Sequence, residues 1–245
     1  YKGGRTAQQY WGHFLSTKGL VKNKAAQEGM TAAMSLDYLL MVDQIDIYML
    51  HDADGDVPMA EALGALDEQV NAGHIKTIGC SNHSAAQLQK ALGISQEKGY
   101  SRFEIVEPPY NLGDRSAEPE LLPLCRREKI ATLSYSPLAA GFLSGKYERT
   151  EERHSFPKRT RFDISPGHAD VYFNDRNFRV LERLREKAAE LDESMVYLAM
   201  AWVLGHPDIT SVLVGARTIA HLDNAIHARD EGIPTALRDE MSAWE

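Results

Sequence analysis

The feature that most constrains the fold is the alternation of short apolar segments with longer amphipathic segments along the chain. The apolar segments predict strands near residues 14, 45, 75, 103, 130 and 211, and the amphipathic segments between them predict helices. Because a helix between two strands carries the chain back across the sheet, successive strands run parallel. The sequence therefore predicts an α/β fold built from six strand–helix units.

The boundaries of these elements follow from apolar periodicity and from residues that begin or end helices. We predict strands at 14–17, 45–51, 75–81, 103–106, 130–134 and 211–214, and helices at 25–42, 58–72, 84–98, 118–128, 177–191, 196–204 and 219–229. Ser84 suits a helix N-cap and Gly73 a helix C-terminus. Residues 143–175 break the rhythm, because they are polar and show no period, which is typical of a functional or mobile loop.

Two architectures fit this alternation: an open doubly wound sheet and a closed (β/α)8 barrel. A G-x-G-x-x-G turn after the first strand would favour the open sheet, and the sequence contains none there. A barrel needs eight strands in about 250 residues. We therefore expect one (β/α)-barrel domain over residues 1–245, with its first one or two strands lying before Tyr1.

Composition narrows the class of partner. The 245 residues are 43% hydrophobic and 25% charged and carry a formal net charge of −8, so nucleic acid and anionic membrane surfaces are disfavoured. We find neither an apolar run of about 20 residues, as a membrane span needs, nor a signal peptide. Cys80 and Cys125 lack a disulfide or metal-ligand spacing, so we expect buried thiols, no metal and a cytoplasmic location.

Every predicted strand ends in a polar or glycine-rich turn. In a parallel barrel, the carboxyl ends of the strands share one mouth, where catalytic side chains lie. The residues at these ends are Lys18, His51, Ser81, Asn82, Glu107, Tyr135, Ser136, Gly215, Ala216 and Arg217. Each of them alone is more simply explained as a cap, a turn or a solvated side chain. Six such ends in register favour a functional site.

Several strings of residues resemble one known family. They are the D-x-Y-x-x-H pattern of Asp46–His51, Gly79-Cys80-Ser81-Asn82, Tyr110-Asn111-Leu112 with Arg115, Ser136-Pro137-Leu138-Ala139-Ala140-Gly141-Phe142-Leu143-Ser144-Gly145-Lys146-Tyr147, and Gly215-Ala216-Arg217. In this order they resemble the aldo-keto reductases, from about residue 12 to the end of the chain. The long string at 136–147 is the most specific.

The resemblance implies a (β/α)8 barrel that reduces aldehydes and ketones, sugars included, with NADPH. It implies that Tyr1 donates the proton, that Lys18 lowers the pKa of this tyrosine, and that His51 orients the carbonyl. A free tyrosine has a pKa of about 10, so it needs a neighbouring cation to give up its proton readily. The family's catalytic aspartate would precede Tyr1, and the spacing from Tyr1 to Lys18 is shorter than the family's.

The same resemblance implies a binding site for NADP(H). Ser81 and Asn82 would bind the nicotinamide carboxamide, and Glu107 takes the position of the family's usual glutamine. The remaining implied contacts are Tyr135 on the nicotinamide ring, Ser136, Leu138, Gly141 and Gly215 along the diphosphate, Arg217 on the 2′-phosphate, and His221 and Asn224 near the adenosine. Ala225 replaces an expected asparagine.

Two other functions stay open at this stage. A nucleotide-binding regulatory or interaction protein on the same barrel would bind NADPH with little turnover, and Glu107 and Ala225 favour it. A barrel hydrolase of another family would not bind NADPH. The sequence leaves the substrate and the oligomeric state undetermined.

Overall fold

The computed structural model describes residues 44–53, 57–149, 156, 158 and 160–244. The predicted strand at 14–17 and helix at 25–42 lie outside these residues, as do Tyr1 and Lys18. The described residues form two compact units. The first comprises the described residues as far as Glu107 together with Leu124–Ala131, and the second comprises Pro108–Pro123 together with the described residues from Thr132 onward.

Strands and helices alternate along the described chain, as the α/β prediction requires. In order, the elements are β1 (Ile45–Leu50), α1 (Met59–Asn71), β2 (Ile75–Ser81), α2 (Ala85–Lys98), β3 (Ile105–Glu107), α3 (Leu121–Glu128), β4 (Ala131–Ser134), a 3-10 helix (Ala139–Ser144), α4 (Arg161–Ile164), α5 (Gly167–Tyr172), α6 (Asp175–Leu191), α7 (Met195–Leu204), β5 (Ser211–Val212), α8 (Ile219–Glu231) and α9 (Thr235–Ser242).

The sheet of the first unit is parallel, as predicted from the helical crossovers. Strand β2 pairs with β1 on one side and with β3 on the other. In this register Leu50 lies beside Cys80, and Cys80 lies beside Val106. The three strands therefore end at the same level, and the residues that follow them meet at one edge of the sheet.

A glycine is required at the centre of this sheet. A Cβ atom on Gly79 would lie 2.3 Å from Met49 Sδ and 2.7 Å from the carbonyl oxygen of Ile105. Ile105 is the residue paired with Gly79 in β3, so its carbonyl cannot retreat without disturbing the strand pairing. The absence of a side chain at Gly79, two residues before the end of β2, thus makes room for the side chain of Met49 in β1.

The helices of the first unit begin where the sequence predicts. Ser84 accepts a hydrogen bond at its side chain from the Gln87 amide (3.2 Å), and the Gln87 side chain accepts one from the Ser84 amide (2.8 Å). This capping box satisfies two amides of the first turn of α2. Gly99 ends α2 with a φ of 70°. In α1, Leu63 and Leu66 lie on the face that packs into the core.

The second unit is built around α7. This helix is buried on nearly all sides, and Trp202 within it has no exposed surface. The Tyr110 ring stacks on Trp202 at a centroid distance of 5.1 Å and an interplanar angle of 21°. Strand β4 pairs in parallel with β5, with Leu133 beside Ser211 and Ser134 beside Val212.

The prediction of an irregular loop over 143–175 is wrong for part of its length. The chain forms α4 and α5 within this segment, and α6 begins at Asp175 rather than at 177. The segment is held by aromatic packing, in which Phe162 lies 4.7 Å from Tyr147 and 5.0 Å from Phe173 between ring centroids. These aromatic residues are too widely spaced to produce a helical period in the sequence.

Other boundaries differ by a few residues. Phe103 is 1% exposed but precedes β3, because its side chain is buried in the core without its backbone joining the strand. Helix α3 begins at Leu121 rather than 118, and β5 ends at Val212 rather than 214. The sequence prediction missed α9 altogether. Among the described residues, no helix combines the length and apolar character needed to cross a membrane.

Candidate functional site

The ends of β1, β2 and β3 bring several of the predicted site residues together in the first unit. Ser81 lies beside Glu107 in the pairing of β2 with β3. His51 follows Leu50, whose partner in β2 is Cys80, the residue before Ser81. His51, Ser81 and Glu107 are therefore at the same level of three neighbouring strands.

Hydrogen bonds fix this edge. The Ser81 hydroxyl donates to the Glu107 carbonyl oxygen over 3.0 Å, and the Asn82 amide donates to the same oxygen over 3.3 Å. The Asn82 side-chain amide donates to the carbonyl oxygen of His51 over 2.9 Å. Asn82 has a φ of 56°, a left-handed conformation that asparagine tolerates better than most residues. The turn after β2 therefore connects the ends of all three strands.

The His51 side chain is open to solvent at this edge. Its ring is 52% exposed, and its Nδ1 atom lies 2.8 Å from Asp52 Oδ2. A carboxylate accepts but does not donate, so Nδ1 carries the proton in this contact. In the neutral ring, Nε2 then becomes the acceptor. In this tautomer Nε2 can accept a proton, whereas the protonated ring can donate one from that atom.

Glu107 is a half-buried carboxyl group at the same edge. Burial raises its pKa, and the positive charge of protonated His51 opposes that rise. Within the part of the chain that the structure describes, the carboxylate has neither a hydrogen bond nor an ion pair. A partly desolvated carboxylate without donors is unfavourable. Glu107 therefore has the capacity to accept hydrogen bonds from a ligand at this edge.

His83 supports this edge from below and was not predicted to have a role. It is 4% exposed, and its Nδ1 atom lies 2.7 Å from the carbonyl oxygen of Ser81. Burial lowers its pKa, while the hydrogen bond to Ser81 and the charge of Asp52 act in the opposite direction. A neutral His83 thus holds the Ser81–Asn82 turn. The only sequence signal is its position immediately after Ser-Asn.

The predicted cofactor residues of the second unit lie mainly in the loop after β4. Ser136, Ala139, Ala140 and Gly141 have φ values of 55°, 51°, 56° and 92°. Three of these four carry side chains, which disfavour this left-handed conformation. Such a run of unusual backbone is typical of a functional site, where the surrounding packing holds it in place. Leu138 accepts hydrogen bonds at its carbonyl from the Gly141 and Leu143 amides (2.9 and 3.2 Å).

Asn111 anchors the start of this loop. It has no exposed surface, and its side-chain amide donates to the Ser136 carbonyl oxygen over 2.9 Å and to the Tyr172 hydroxyl over 3.3 Å. Tyr135, the predicted ring-stacking residue, donates its amide to the Pro108 carbonyl over 3.0 Å. Asn111 belongs to the quoted Tyr-Asn-Leu string, but this anchoring was not predicted.

Two cationic side chains approach each other near the loop. A Cβ atom on Gly141 would lie 2.8 Å from Lys146 Nζ, so the ammonium group lies directly over this glycine. Burial lowers the pKa of Lys146, and the charge of Arg217 lowers it further. Neither Lys146 nor Arg217 forms an ion pair with any described residue. Two cations without carboxylate partners form a site suited to phosphate groups.

Arg217 immediately precedes the N-cap of α8, Thr218. The Arg217 amide donates to His221 Nδ1 over 3.3 Å, and Thr218 provides no side-chain cap. First-turn amides that lack a cap attract anions. Gly215 has open space around it, and Asn224 lies exposed one turn after His221. The structure thus brings Gly141, Lys146, Arg217 and His221 into one cationic region. Lys146, the middle residue of the Gly-Lys-Tyr string at 145–147, was missed as a candidate.

Cys80 and Cys125 are buried free thiols, as predicted from their spacing. Burial raises the pKa of Cys80 far above its usual value, and the neighbouring Cys125 adds to that rise. Both thiols are therefore buried as small apolar packing groups, and the raised pKa of Cys80 keeps that thiol protonated. Among the described residues, no group of three or more His, Cys, Asp or Glu side chains is arranged to hold a metal ion.

Comparison with known proteins gives a consistent assignment. A family model described as the aldo/keto reductase family matches residues 8–241. Similar curated proteins include an uncharacterized oxidoreductase of Bacillus subtilis, 31% identical over 189 residues, which cover 77% of this chain and 55% of the relative. An NADH-specific methylglyoxal reductase of Escherichia coli is 33% identical over 187 residues, which cover 72% of this chain and 52% of the relative.

A third relative is named as a channel subunit and not as an enzyme. A probable voltage-gated potassium channel subunit beta of Arabidopsis thaliana is 29% identical over 216 residues, which cover 87% of this chain and 63% of the relative. The chain therefore spans between 52% and 63% of the length of these three relatives.

Proposed function

Because the chain belongs to the aldo/keto reductase family, whose members are (β/α)8 barrels and oxidoreductases, we propose that it reduces an aldehyde or ketone to the alcohol with NADPH. The arrangement of His51, Ser81, Asn82 and Glu107 at one edge of a parallel sheet is the main support for this proposal. In a parallel α/β fold, the carboxyl ends of the strands are where ligands bind and where catalytic residues lie.

The residues of the sheet edge suit the nicotinamide end of the cofactor. A carboxamide group both donates and accepts hydrogen bonds. At the ends of adjacent strands, Asn82 offers an amide that also donates to the His51 carbonyl, and Glu107 offers a carboxylate that has no hydrogen bond or ion pair with any described residue. The reduced nicotinamide would supply a hydride to the substrate carbonyl. His51, exposed beside this edge, would orient the carbonyl by a hydrogen bond and help to move the proton.

The remaining catalytic roles fall on Tyr1 and Lys18, which lie outside the described residues. We assign proton donation to Tyr1 and the lowering of the Tyr1 pKa to Lys18, because an ammonium group favours the tyrosinate form. A well-placed acid of this kind accelerates a reaction by roughly 100- to 10,000-fold.

The cationic region of the second unit suits the phosphates of the cofactor. Ser136, Leu138, Gly141 and Gly215 would allow the backbone to approach the diphosphate, and Tyr135 would stack on the nicotinamide ring. Lys146 and Arg217, which repel each other without a ligand, would both be neutralised by phosphate. His221 and Asn224 would contact the adenosine. Arg217 favours NADPH over NADH, because a guanidinium binds a phosphate in a bidentate manner.

We further propose that the protein is cytoplasmic, that its substrate is a small carbonyl compound, sugars and sugar derivatives included, and that it has no nucleic-acid or membrane partner. The free thiols and the net charge of −8 support these assignments. The alternative, a nucleotide-binding regulatory protein with little turnover, is favoured by the relative named as a channel subunit.

NADPH oxidation at 340 nm with a panel of small aldehydes, ketones and sugars tests the enzyme function. We expect turnover with at least one carbonyl compound, and a strong loss in the His51→Ala variant. His74→Ala is the matched control, since His74 hydrogen-bonds to Gln69 rather than lying at the strand ends. Binding of NADPH without oxidation by any carbonyl compound would favour the regulatory alternative, and no binding at all would rule out both.

The Arg217→Met variant tests the cofactor assignment. We expect its Kd for NADPH to rise roughly 10- to 100-fold, as for the loss of a charged hydrogen bond, with a much smaller change for NADH. Arg229→Met serves as the control, because Arg229 is exposed on the last turn of α8 and pairs with Asp230. Equal losses for the two cofactors would show that Arg217 does not read the 2′-phosphate.

A further inference from the structure

Glu107 brings a negative charge to the strand-end edge, and the proposed function uses this carboxylate only as a hydrogen-bond acceptor. The three strand ends place it beside Ser81 and Asn82, and it interacts electrostatically with His51. A glutamine side chain at this position would have the same length and could also form hydrogen bonds, but it would carry no charge. The effect of this charge on binding therefore depends on the charge of the ligand that binds at the edge.

The two redox forms of a nicotinamide cofactor differ in charge at the ring. The oxidised ring is a cation, whereas the reduced ring is neutral, and the phosphates of the two forms are identical. A negative charge held near the ring in a partly desolvated site therefore stabilises the oxidised form selectively. The selectivity is the same for NAD and NADP, because their rings are identical.

We propose that Glu107 makes this site select the oxidised cofactor, so that the chain binds NADP⁺ more tightly relative to NADPH than a glutamine-containing site would. The inference rests on the proposed function, because it requires the nicotinamide to bind at the edge formed by His51, Ser81 and Asn82. It goes beyond that function by giving Glu107 a specific task, which is to bias the site toward the cofactor form that oxidises alcohols.

The surroundings of Glu107 support an electrostatic rather than a structural task. Among the described residues, its carboxylate makes no hydrogen bond and no ion pair, so it does not hold the fold together. The hydrogen bonds between β2 and Glu107 involve its backbone carbonyl only. Replacing the side chain with glutamine should therefore leave the strand ends in place.

The other titratable groups around this edge are His51 and Asp52 at the end of β1 and His83 just beyond β2. Asp52 is hydrogen-bonded to His51, and His83 is buried with a lowered pKa. These groups are present both in the unsubstituted protein and in a variant at position 107, so a difference between the two proteins originates in the charge of Glu107.

The test compares the Kd values of NADP⁺ and NADPH for the unsubstituted protein and for Glu107→Gln, by titration of protein fluorescence at pH 8. We expect the ratio of Kd(NADP⁺) to Kd(NADPH) to rise about tenfold or more in the variant, since one charge–charge contact in a partly buried site has at least this effect. Glu104→Gln is the matched control. Glu104 is exposed just before β3 and pairs with Arg102, so its removal should leave the ratio unchanged.

A second measurement follows the same ratio as a function of pH. As the pH falls from 8 through the raised pKa of Glu107, the carboxylate is neutralised, and the ratio for the unsubstituted protein should converge on that of Glu107→Gln. Because both cofactor forms carry the same phosphates, titration of the phosphates cancels in the ratio.

The possible failures are distinguishable. If both proteins bind the two cofactor forms with the same ratio at all pH values, the inference is overturned and the proposed function stands. An equal loss of affinity for both forms in Glu107→Gln would also overturn it, since that pattern indicates a positioning role. If the unsubstituted protein binds neither form, the proposed function fails and the inference fails with it.

Discussion

At the scale of single residues, the strand-end edge depends on a few hydrogen bonds to backbone carbonyls. Ser81 and Asn82 bind the carbonyl of Glu107, and Asn82 also binds that of His51. His83 binds the carbonyl of Ser81 beneath them. None of these contacts involves the exposed atoms of His51 or Glu107. The atoms that hold the edge are therefore separate from the exposed side-chain atoms of His51 and Glu107, which remain available to a ligand.

His83 gives a residue-scale prediction. We expect His83→Ala to lower the free energy of unfolding by about 1–3 kcal/mol, because it leaves the buried Ser81 carbonyl without its donor. His83→Asn should lose less, since the asparagine amide can replace the Nδ1 donor. Urea unfolding at pH 8 measures both. Equal losses in the two variants would mean that packing against Phe103, not the hydrogen bond, is what His83 contributes.

The lowered pKa of His83 adds a pH dependence with a definite sign. The unfolded chain takes up a proton at this residue near the ordinary histidine pKa of about 6.5, while folded His83 stays neutral to lower pH. The unfolded state therefore binds more protons in this window, and stability falls as the pH falls below about 6.5. His83→Asn should be less sensitive to acid over the same range.

At the scale of elements, the packing of β1, β2 and β3 is what aligns the strand ends. The alignment depends on Gly79, because Met49 and Ile105 occupy the space that a side chain would need. The motif Gly-x-Ser-Asn thus combines a packing requirement in its first residue with the hydrogen-bonding residues of the strand-end edge, Ser81 and Asn82, at its end. One short string of sequence determines both the sheet geometry and the edge.

A pair of glycine substitutions tests this at the element scale. Gly79→Ala should destabilise the protein by about 1–3 kcal/mol, as overpacked core substitutions do. Gly93→Ala is the matched control, because Gly93 lies in α2 with nothing within 4 Å of an added Cβ atom, and alanine there should stabilise by about 0.5–1 kcal/mol. Thermal unfolding of both variants measures the difference, and a neutral Gly79→Ala would contradict the packing argument.

At the scale of the whole molecule, the net charge opposes the binding of anions, whereas one local group of cations favours it. The net charge of −8 disfavours anionic ligands over most of the surface, yet Lys146 and Arg217 come together without carboxylate partners among the described residues. Binding of a polyphosphate therefore depends on this local region rather than on the overall field. Exposed Ile219, Leu222 and Ile226 on α8 lie next to the same region.

The sequence alone determined the fold class, the family and most of the candidate residues. Alternating apolar periods predicted the parallel strands, because each crossover helix must bury one face against the sheet, and the strings at 46–51, 79–82 and 136–147 carried the resemblance that the family model confirms. The predicted cofactor-binding residues belong to short motifs, and a motif is recognised from the types of its residues and the spacing between them.

Only the tertiary structure decided which charged side chains lack an ion pair among the described residues and which side chains hold the ends of β1, β2 and β3 in place. The role of His83 depends on its burial, and that of Asn111 depends on a contact with Ser136, far away in the sequence. The role of Lys146 depends on its position over Gly141. None of these features produces a period in the sequence. The aromatic packing that orders part of 143–175 has the same origin. Glu107 was visible in the sequence as a departure from the family's glutamine. Only the structure shows that its carboxylate is half-buried at the ends of three strands, without a hydrogen bond or ion pair to the residues described.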